Sequence, residues 1–258
     1  MPGTGFRLRK PAIAKALNGL KADLVALQEV FFERAAGELA AASALPHAFH
    51  ARRLGTVAGG LALFSRLPLA DAAFIPFRVQ GSPLRFSALA RLNRKGFIFA
   101  RWNHPKVGII ATHLLSNYQE RFDSGPYAAW QEHQIGQLVE FIAGQDPGLP
   151  LLAVGDFNVP PRAPAYRRFQ AAGLVDAMAG CERPSMVSKG NLDLGWLAPS
   201  LPERIDYVWY RLKDALRAVR CGYAFEGERL SDHMGLLAEL EFAPGPRSAP
   251  ALPRPGGL

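Results

Sequence analysis

Residues 151–161 read "LLAVGDFNVPP". Leu151 to Val154 form a short apolar run of strand length, and Gly155 ends it. Pro160 and Pro161 then forbid any continuation as a central strand. Between run and prolines the chain presents Asp156 and Asn158, two residues apart. On extended backbone, i and i+2 point the same way, so a carboxylate and a carboxamide converge on one place. Asp and Asn also favour turns, because their side chains bond nearby backbone groups. This stretch alone leaves both readings open, a turn or a site at a strand end.

The segments around it alternate between strand and helix patterns. "YAAWQEHQIGQLVEFIAGQ" (127–145) repeats apolar residues at helical spacing, with Trp130, Ile135, Leu138, Val139 and Ile142 on one side. A shorter helix is expected near "APAYRRFQAAG" (163–173). "GFIFARW" (96–102) and "VGIIATHL" (107–114) read as strands, and the intervening "NHPK" makes them a hairpin. Upstream, "PAIAKALNGLKAD" (11–23) places Pro11 where a helix starts, "LVALQEV" (24–30) is a strand, and "FERAAGELAAASAL" (32–45) is an alanine-rich helix. "GLALFS" (60–65), "IDYVWYR" (205–211), "LRAVRCGYAF" (216–225) and "MGLLAELEF" (234–242) are further strands. Strands mixed with helices throughout imply an α/β architecture, sheet inside and helices outside.

The 258 residues suffice for one large domain, expected over 1–243. The Pro- and Gly-rich end, 244–258, cannot build a packed core and is expected to be a disordered tail. No apolar run is long enough to cross a bilayer, and no apolar stretch of signal type follows "MPGTGFRLRK", which favours a cytoplasmic location. The formal charge of +8 favours acidic partners: phosphate esters, nucleic acid or an anionic membrane surface. Cys181 and Cys221 are read as structural thiols, with pairing in space as the alternative.

Polar residues suited to catalysis gather at the strand ends. Glu29 closes "LVALQEV", His113 closes "VGIIATHL", Asp206 lies inside "ERIDYVWY", and Asp232 with His233 opens the last strand. Each has a plain structural reading: a surface carboxylate, a core histidine, or a turn-capping pair at Ser231 and Asp232. Asp206 is harder to dismiss, because an ionised carboxylate among Ile205, Tyr207 and Val208 needs a partner. Together they supply what metal-assisted hydrolysis of a phosphodiester requires. Hard oxygens suit Mg2+. A carboxylate-oriented imidazole moves protons near neutral pH. Hydrogen-bond donors stabilise charge growing on phosphoryl oxygens.

In order, "LQEV", "GGLALFSRLPL", "ATHL", "GDFN", "RIDYVWY" and "LSDH" resemble the endonuclease/exonuclease/phosphatase superfamily, from Ala22 to Phe242. The resemblance implies a deoxyribonuclease I-like, four-layer α/β/β/α sandwich, two mixed β-sheets face to face with helices outside. It also implies roles. Glu29 would hold the divalent metal, Mg2+ with Mn2+ or another divalent cation as alternatives, and Asp232 would be a second ligand. Asp156 would orient or deprotonate the attacking water, Asn158 and His113 would bond the phosphate, and Asp206 would fix the ring of His233. Whether Asp156 or His233 is the base stays open. In one respect the sequence departs from the pattern: the family's first strand, bearing an asparagine, is missing ahead of the first helix. A central sheet position should therefore be vacant, the chain as written poorly stable and weakly active, and the native product should begin upstream with such a strand.

"THLLSNYQERFDSGPYAAWQEHQIGQL", "PSMVSKGN" and "ERIDYVWYR" look nearest to the neutral sphingomyelinase-like branch. That branch implies a phospholipase C releasing phosphocholine or a similar headgroup, with peripheral membrane contact and no transmembrane segment. An aromatic face suits a quaternary ammonium, and Tyr118, in the loop after the "THL" strand end, is the candidate. The competing reading is an apurinic-endonuclease-like DNA nuclease using Arg52, Arg53, Arg162, Arg167 and Arg168 on phosphates. A third is an inactive binding domain, motivated by the missing strand and opposed by every other catalytic residue type being present.

Overall fold

A computed structural model describes residues 6–81, 94–117, 124–186, 203–211, 215–228 and 230–243. Tyr118, Trp196 and the tail from 244 lie outside the described residues. The elements in chain order are α1 (Phe6–Gly19), β1 (Leu24–Leu27), α2 (Glu33–Ala42), β2 (His47–Phe49), β3 (Arg52–Arg53), β4 (Thr56–Val57), β5 (Ala62–Ser65) and β6 (Ala70–Pro76). They continue as β7 (Gly96–Asn103), β8 (Lys106–His113), α3 (Gly125–Ala143), β9 (Leu151–Asp156), α4 (Pro164–Ala171), β10 (Leu174–Asp176), β11 (Asp206–Arg211), β12 (Leu216–Ala224) and β13 (Gly235–Phe242).

A six-stranded mixed sheet, in the order β10-β11-β9-β8-β7-β6, is the centre of the fold. Alternation along its strands sorts two cores. Phe97, Ile110, Leu151, Ala153, Tyr207 and Trp209 face α3 and α4. Ile98, Ala100, Ile109, Ala111, Leu152 and Tyr210 face the opposite way, onto Leu61 and Leu63 beside and within β5 and onto Leu216, Ala218, Ala238 and Leu240 of β12–β13. The outer face of the β1-β5-β2 sheet, through Val25, Leu27, Ala62 and Phe64, is covered by α1 and α2. The layers are thus helix, sheet, sheet, helix, as the motif order implies.

The second sheet layer is split. Among the described residues β1 pairs only with β5, and β13 only with β12. Leu24–Leu27 and Gly235–Leu237 line the same cleft of about 1450 Å3, with Val154 and Val208 from the central sheet and Ile13 and Leu17 from α1. Among the described residues no further strand pairs with β1 or β13 here.

Two expectations are corrected. The first helix does not start at Pro11 but at Phe6, with Pro11 inside it. Residues 6–10, Phe-Arg-Leu-Arg-Lys, extend the helix because α1 leans on α2, with Phe6 packed on the core beneath, Lys10 bonded to Glu38 and Leu17 buried. Cys181 and Cys221 are not free thiols but a disulfide, with Cα atoms 6.2 Å apart. It ties the segment after β10 to β12 across 40 residues, worth about 4 kcal/mol in the chain-entropy view. Strands β2, β3, β4, β6 and β10 carry no strong alternation and went unread.

Candidate active site

Strand register assembles the site. β8 runs parallel to β9 and places His113 opposite Asp156; β11 runs antiparallel to β9 and places Asp206 opposite Asp156. Neighbouring strands lie roughly 4.8 Å apart, so three residues from distant parts of the sequence form one row. By alternation this row lies on the inter-sheet side, at an open end of the sandwich. Glu29, His113, Asp156, Asp206, Asp232 and His233 all line the single cleft already described.

Gly155 lets the row form. Its φ is +129°, and an added Cβ would sit 2.1 Å from the Thr112 carbonyl oxygen of β8. Only glycine allows β9 to approach so closely while turning Asp156 into the cleft. Asp156 then accepts the Asn158 N–H through Oδ1 (2.8 Å), and its Oδ2 stands 3.3 Å from His113 Nε2. The opening stretch is thus a turn and a strand end at once, Asp156 making the turn with one oxygen and facing the cleft with the other, but the Asn158 amide does not join it there. Burial raises the pKa of Asp156, but the hydrogen bond and charge of His113, with His233 and Lys95, overcome that and bring it down to about 2.

Asp206 Oδ2 stands 2.7 Å from His233 Nδ1. Burial opposes a positive charge on His233, yet Asp206 foremost, then Asp156 and Asp232, raise it to about 10. Asp206 itself is raised, chiefly by burial and also by Asp156, against the pull of His233 and Ser185. The pair behaves as an imidazolium held by a carboxylate.

Ser185, buried at 0%, was missed at the sequence level. Its Oγ donates to Asp206 Oδ2 (2.6 Å) and accepts the N–H groups of Ile205 (3.0 Å) and Asp206 (3.1 Å). Its carbonyl accepts the Met234 N–H (2.7 Å), so one residue ties the start of β11 to the His233 loop. Arg204 and Tyr207 in the same motif are structural. Arg204 pairs with buried Asp176 (2.7 Å), and the Tyr207 hydroxyl donates to the carbonyl of Val159 beyond the "GDFN" strand end (2.6 Å). Ser231 caps the His233 N–H in a turn (3.1 Å), not a helix.

Lys95 is the other residue missed. It precedes Gly96 at the start of β7, is buried, and its Nζ donates to the Leu114 carbonyl (3.3 Å). Burial lowers it to about 8 against the attraction of Asp156 and Glu29. Glu29 has φ +59° and is held where Gly59 and Gly60 turn, the Val30 N–H bonding the Gly60 carbonyl (2.9 Å). Burial works against its charge, but surrounding positive groups, His113 and Lys95 among them, leave its pKa lowered.

Asn158 is not among the residues lining the cleft; its Nδ2 donates to the Leu114 carbonyl (3.1 Å). Gln131 and Gln134 of α3 fasten this region, Gln131 to the Leu115 and Asn158 carbonyls and Gln134 to the Leu115 N–H. Arginines expected on a nucleic acid are engaged in ion pairs: Arg52 with Glu33, Arg162 with Glu203, Arg168 with Glu132.

The donors suit a hard divalent cation. Glu29, Asp156 and Asp232 bring carboxylates to one cleft, while Asp206 and His233, which each have a ligand-type atom within 4.8 Å of one on Asp156, are engaged with each other. Among the described residues, buried His113 Nδ1 has no hydrogen-bond partner.

The profile of the Endonuclease/Exonuclease/phosphatase family matches residues 4–233. An inositol phosphosphingolipids phospholipase C of Schizosaccharomyces pombe is 27% identical over 176 residues, 65% of this chain and 40% of that protein, so the chain spans less than half of that relative. The fold is shared with sphingomyelinase C from Streptomyces griseocarneus, with TM-score 0.68, 22% identity and 94% of each chain covered. It is shared also with beta toxin from Staphylococcus aureus bearing bound magnesium ions, with TM-score 0.70, 17% identity and 92% and 93% of the two chains covered.

Proposed function

The chain belongs to the endonuclease/exonuclease/phosphatase family, and on that footing we propose that it is a metal-dependent phosphodiester hydrolase of sphingomyelinase-like type, releasing a phosphorylated headgroup from a phospholipid. The observation that carries the proposal is the His113–Asp156–Asp206 row with His233 held 2.7 Å from Asp206. A phosphodiester needs an acceptor for the water proton, donors for the phosphoryl oxygens and an acid for the leaving alkoxide. All three are present within one cleft.

In this reading Asp156, a carboxylate down to about 2, orients the attacking water and takes its proton. His113, which lines the cleft, faces the non-bridging oxygens as a donor, and buried Lys95 adds positive charge near Asp156 and Glu29. His233, charged at neutral pH, gives its proton to the departing alcohol oxygen, and Asp206 stabilises the imidazolium beforehand. One P–O bond forms to water and one breaks to the alcohol. Glu29 and Asp232 would hold a divalent cation, Mg2+ foremost, which supplies Lewis-acid stabilisation of phosphoryl charge when bound. The lipid substrate is favoured by the relative named for phosphosphingolipids. The disulfide favours an oxidising compartment over the cytoplasm.

The test has two arms. Mg2+ binding measured by calorimetry should weaken in Glu29→Ala, and Asp156→Asn should lose roughly 10²–10⁴ in kcat on sphingomyelin. Labelled water should appear in the phosphorylated headgroup. Unchanged Mg2+ affinity in Glu29→Ala, or full turnover in the presence of a chelator, refutes the metal reading. Abasic-site cleavage without lipid turnover transfers the site to a nuclease.

A further inference from the structure

The β3–β4 hairpin carries a residue that its own fold does not explain. Its two-residue turn is Leu54–Gly55, with φ of 48° and 76°. Such turns are ordinarily filled by Asn, Asp or Gly, since a Cβ and a branched side chain are disfavoured in the left-handed region. Leu54 is also 100% exposed. The left-handed backbone costs free energy at a leucine, and Leu54, fully exposed, has no packing among the described residues to offset it.

The hairpin is held at the edge of the active-site cleft. Phe32 bridges Thr56, the Val57 N–H bonds the Phe31 carbonyl (3.0 Å), and the Glu33 N–H bonds the Gly55 carbonyl (3.2 Å). Phe32 is itself 49% exposed and lines the cleft, only three residues beyond Glu29, a reach of at most about 10 Å. Arg52 and Arg53 immediately precede the leucine, and both are exposed. An apolar tip with a guanidinium collar matches the layering of a bilayer surface, acyl chains below and phosphates at the headgroup level.

We propose that the β3–β4 hairpin is a membrane-docking element for a bilayer containing anionic phospholipid, with Leu54 entering the acyl boundary and Arg52 and Arg53 at the phosphates. The proposal rests on the lipid-hydrolase reading of the adjacent site, because docking there turns the cleft towards the headgroups. A chain of charge +8 is drawn to such a surface from a distance.

Leu54→Asn is the informative variant, since asparagine suits the turn and should leave thermal stability equal or improved. Partition onto phosphatidylcholine vesicles carrying phosphatidylserine should fall about tenfold, as expected for withdrawing one leucine side chain from an apolar environment. Turnover of vesicle-borne sphingomyelin should fall with it, while hydrolysis of water-soluble bis(p-nitrophenyl) phosphate stays unchanged. Equal partition of wild type and Leu54→Asn overturns the proposal. Loss of duplex-DNA binding in the variant with vesicle binding intact also overturns it and assigns the hairpin to nucleic acid. If partition depends on Leu54 but the wild type cleaves neither substrate, docking stands and the hydrolase reading falls.

Discussion

Ser185→Ala removes one oxygen that three partners share. Its hydroxyl donates to Asp206 Oδ2 and receives the N–H groups of Ile205 and Asp206, at 2.6, 3.0 and 3.1 Å, in a position with 0% exposure. Water cannot replace it without a cavity, so two backbone donors are left unsatisfied at about 1–3 kcal/mol each, and the carboxylate loses a charge-assisted bond. These terms share one atom and do not add in full, so the expected loss is about 3 kcal/mol. For a chain of this size that corresponds to roughly 6–12 °C in Tm. Urea titration gives the free energy directly, with an unchanged m-value showing that the folded and unfolded states keep their compactness. Turnover should fall as well, because Asp206 loses one of the bonds that aim it at His233 Nδ1. Ser185→Thr retains the hydroxyl and should recover most of the activity, at a cost of about 1 kcal/mol for the added methyl. A Ser185→Ala protein within about 0.5 kcal/mol of wild type, or a threonine variant as impaired as the alanine one, would refute the reasoning.

Gly155→Ala should abolish turnover and lower stability by several kcal/mol, about 3 or more, because its Cβ meets a carbonyl at 2.1 Å on left-handed backbone; a well-folded, active alanine variant, seen by circular dichroism and assay, contradicts this. In metal-free protein, His233 raised to about 10 stabilises fully below its unfolded value of about 6.5, and that contribution is lost as pH rises towards 10. Lys95, lowered to about 8, works in the opposite sense, its cost being relieved between about 8 and its unfolded value near 10.4. Unfolding free energy should therefore fall from pH 6.5 to 8 and level off above, and urea melts of His233→Gln should lack the fall. An extended segment supplied ahead of α1 should pair with the edges of β1 and β13 left unpaired among the described residues and add about 2–5 kcal/mol; equal Tm and equal Mg2+ affinity with and without it would show that the cleft does not accept a strand.

The candidate site residues were legible from sequence because strand ends announce themselves locally. An apolar run, a glycine and a polar residue suffice to place Asp156, and an apolar run closed by polar residues places Glu29 and His113. Layering was legible for a similar reason: alternation with period two already sorts Ile98 from Phe97 and Ile109 from Ile110. The strand pattern and the superfamily motifs "RIDYVWY" and "LSDH" found Asp206 and His233, though their pairing at 2.7 Å joins residues 27 apart.

Other features were decided only when the chain closed on itself. The register that sets His113, Asp156 and Asp206 abreast depends on β8 lying parallel and β11 antiparallel to β9, which no local pattern specifies. Lys95 and Ser185 look like ordinary polar residues in sequence; burial beside Asp156 and Asp206 makes them part of the site. Asn158 went the other way, its amide taken up by a backbone carbonyl from β8's end. Cys181 and Cys221 became a disulfide because β12 passes the loop after β10, and Leu54 became an exposed tip because its hairpin turns outward. Side-chain type and spacing are properties of neighbours along the chain. Partners, burial and the electrostatics that follow from them are properties of neighbours in space.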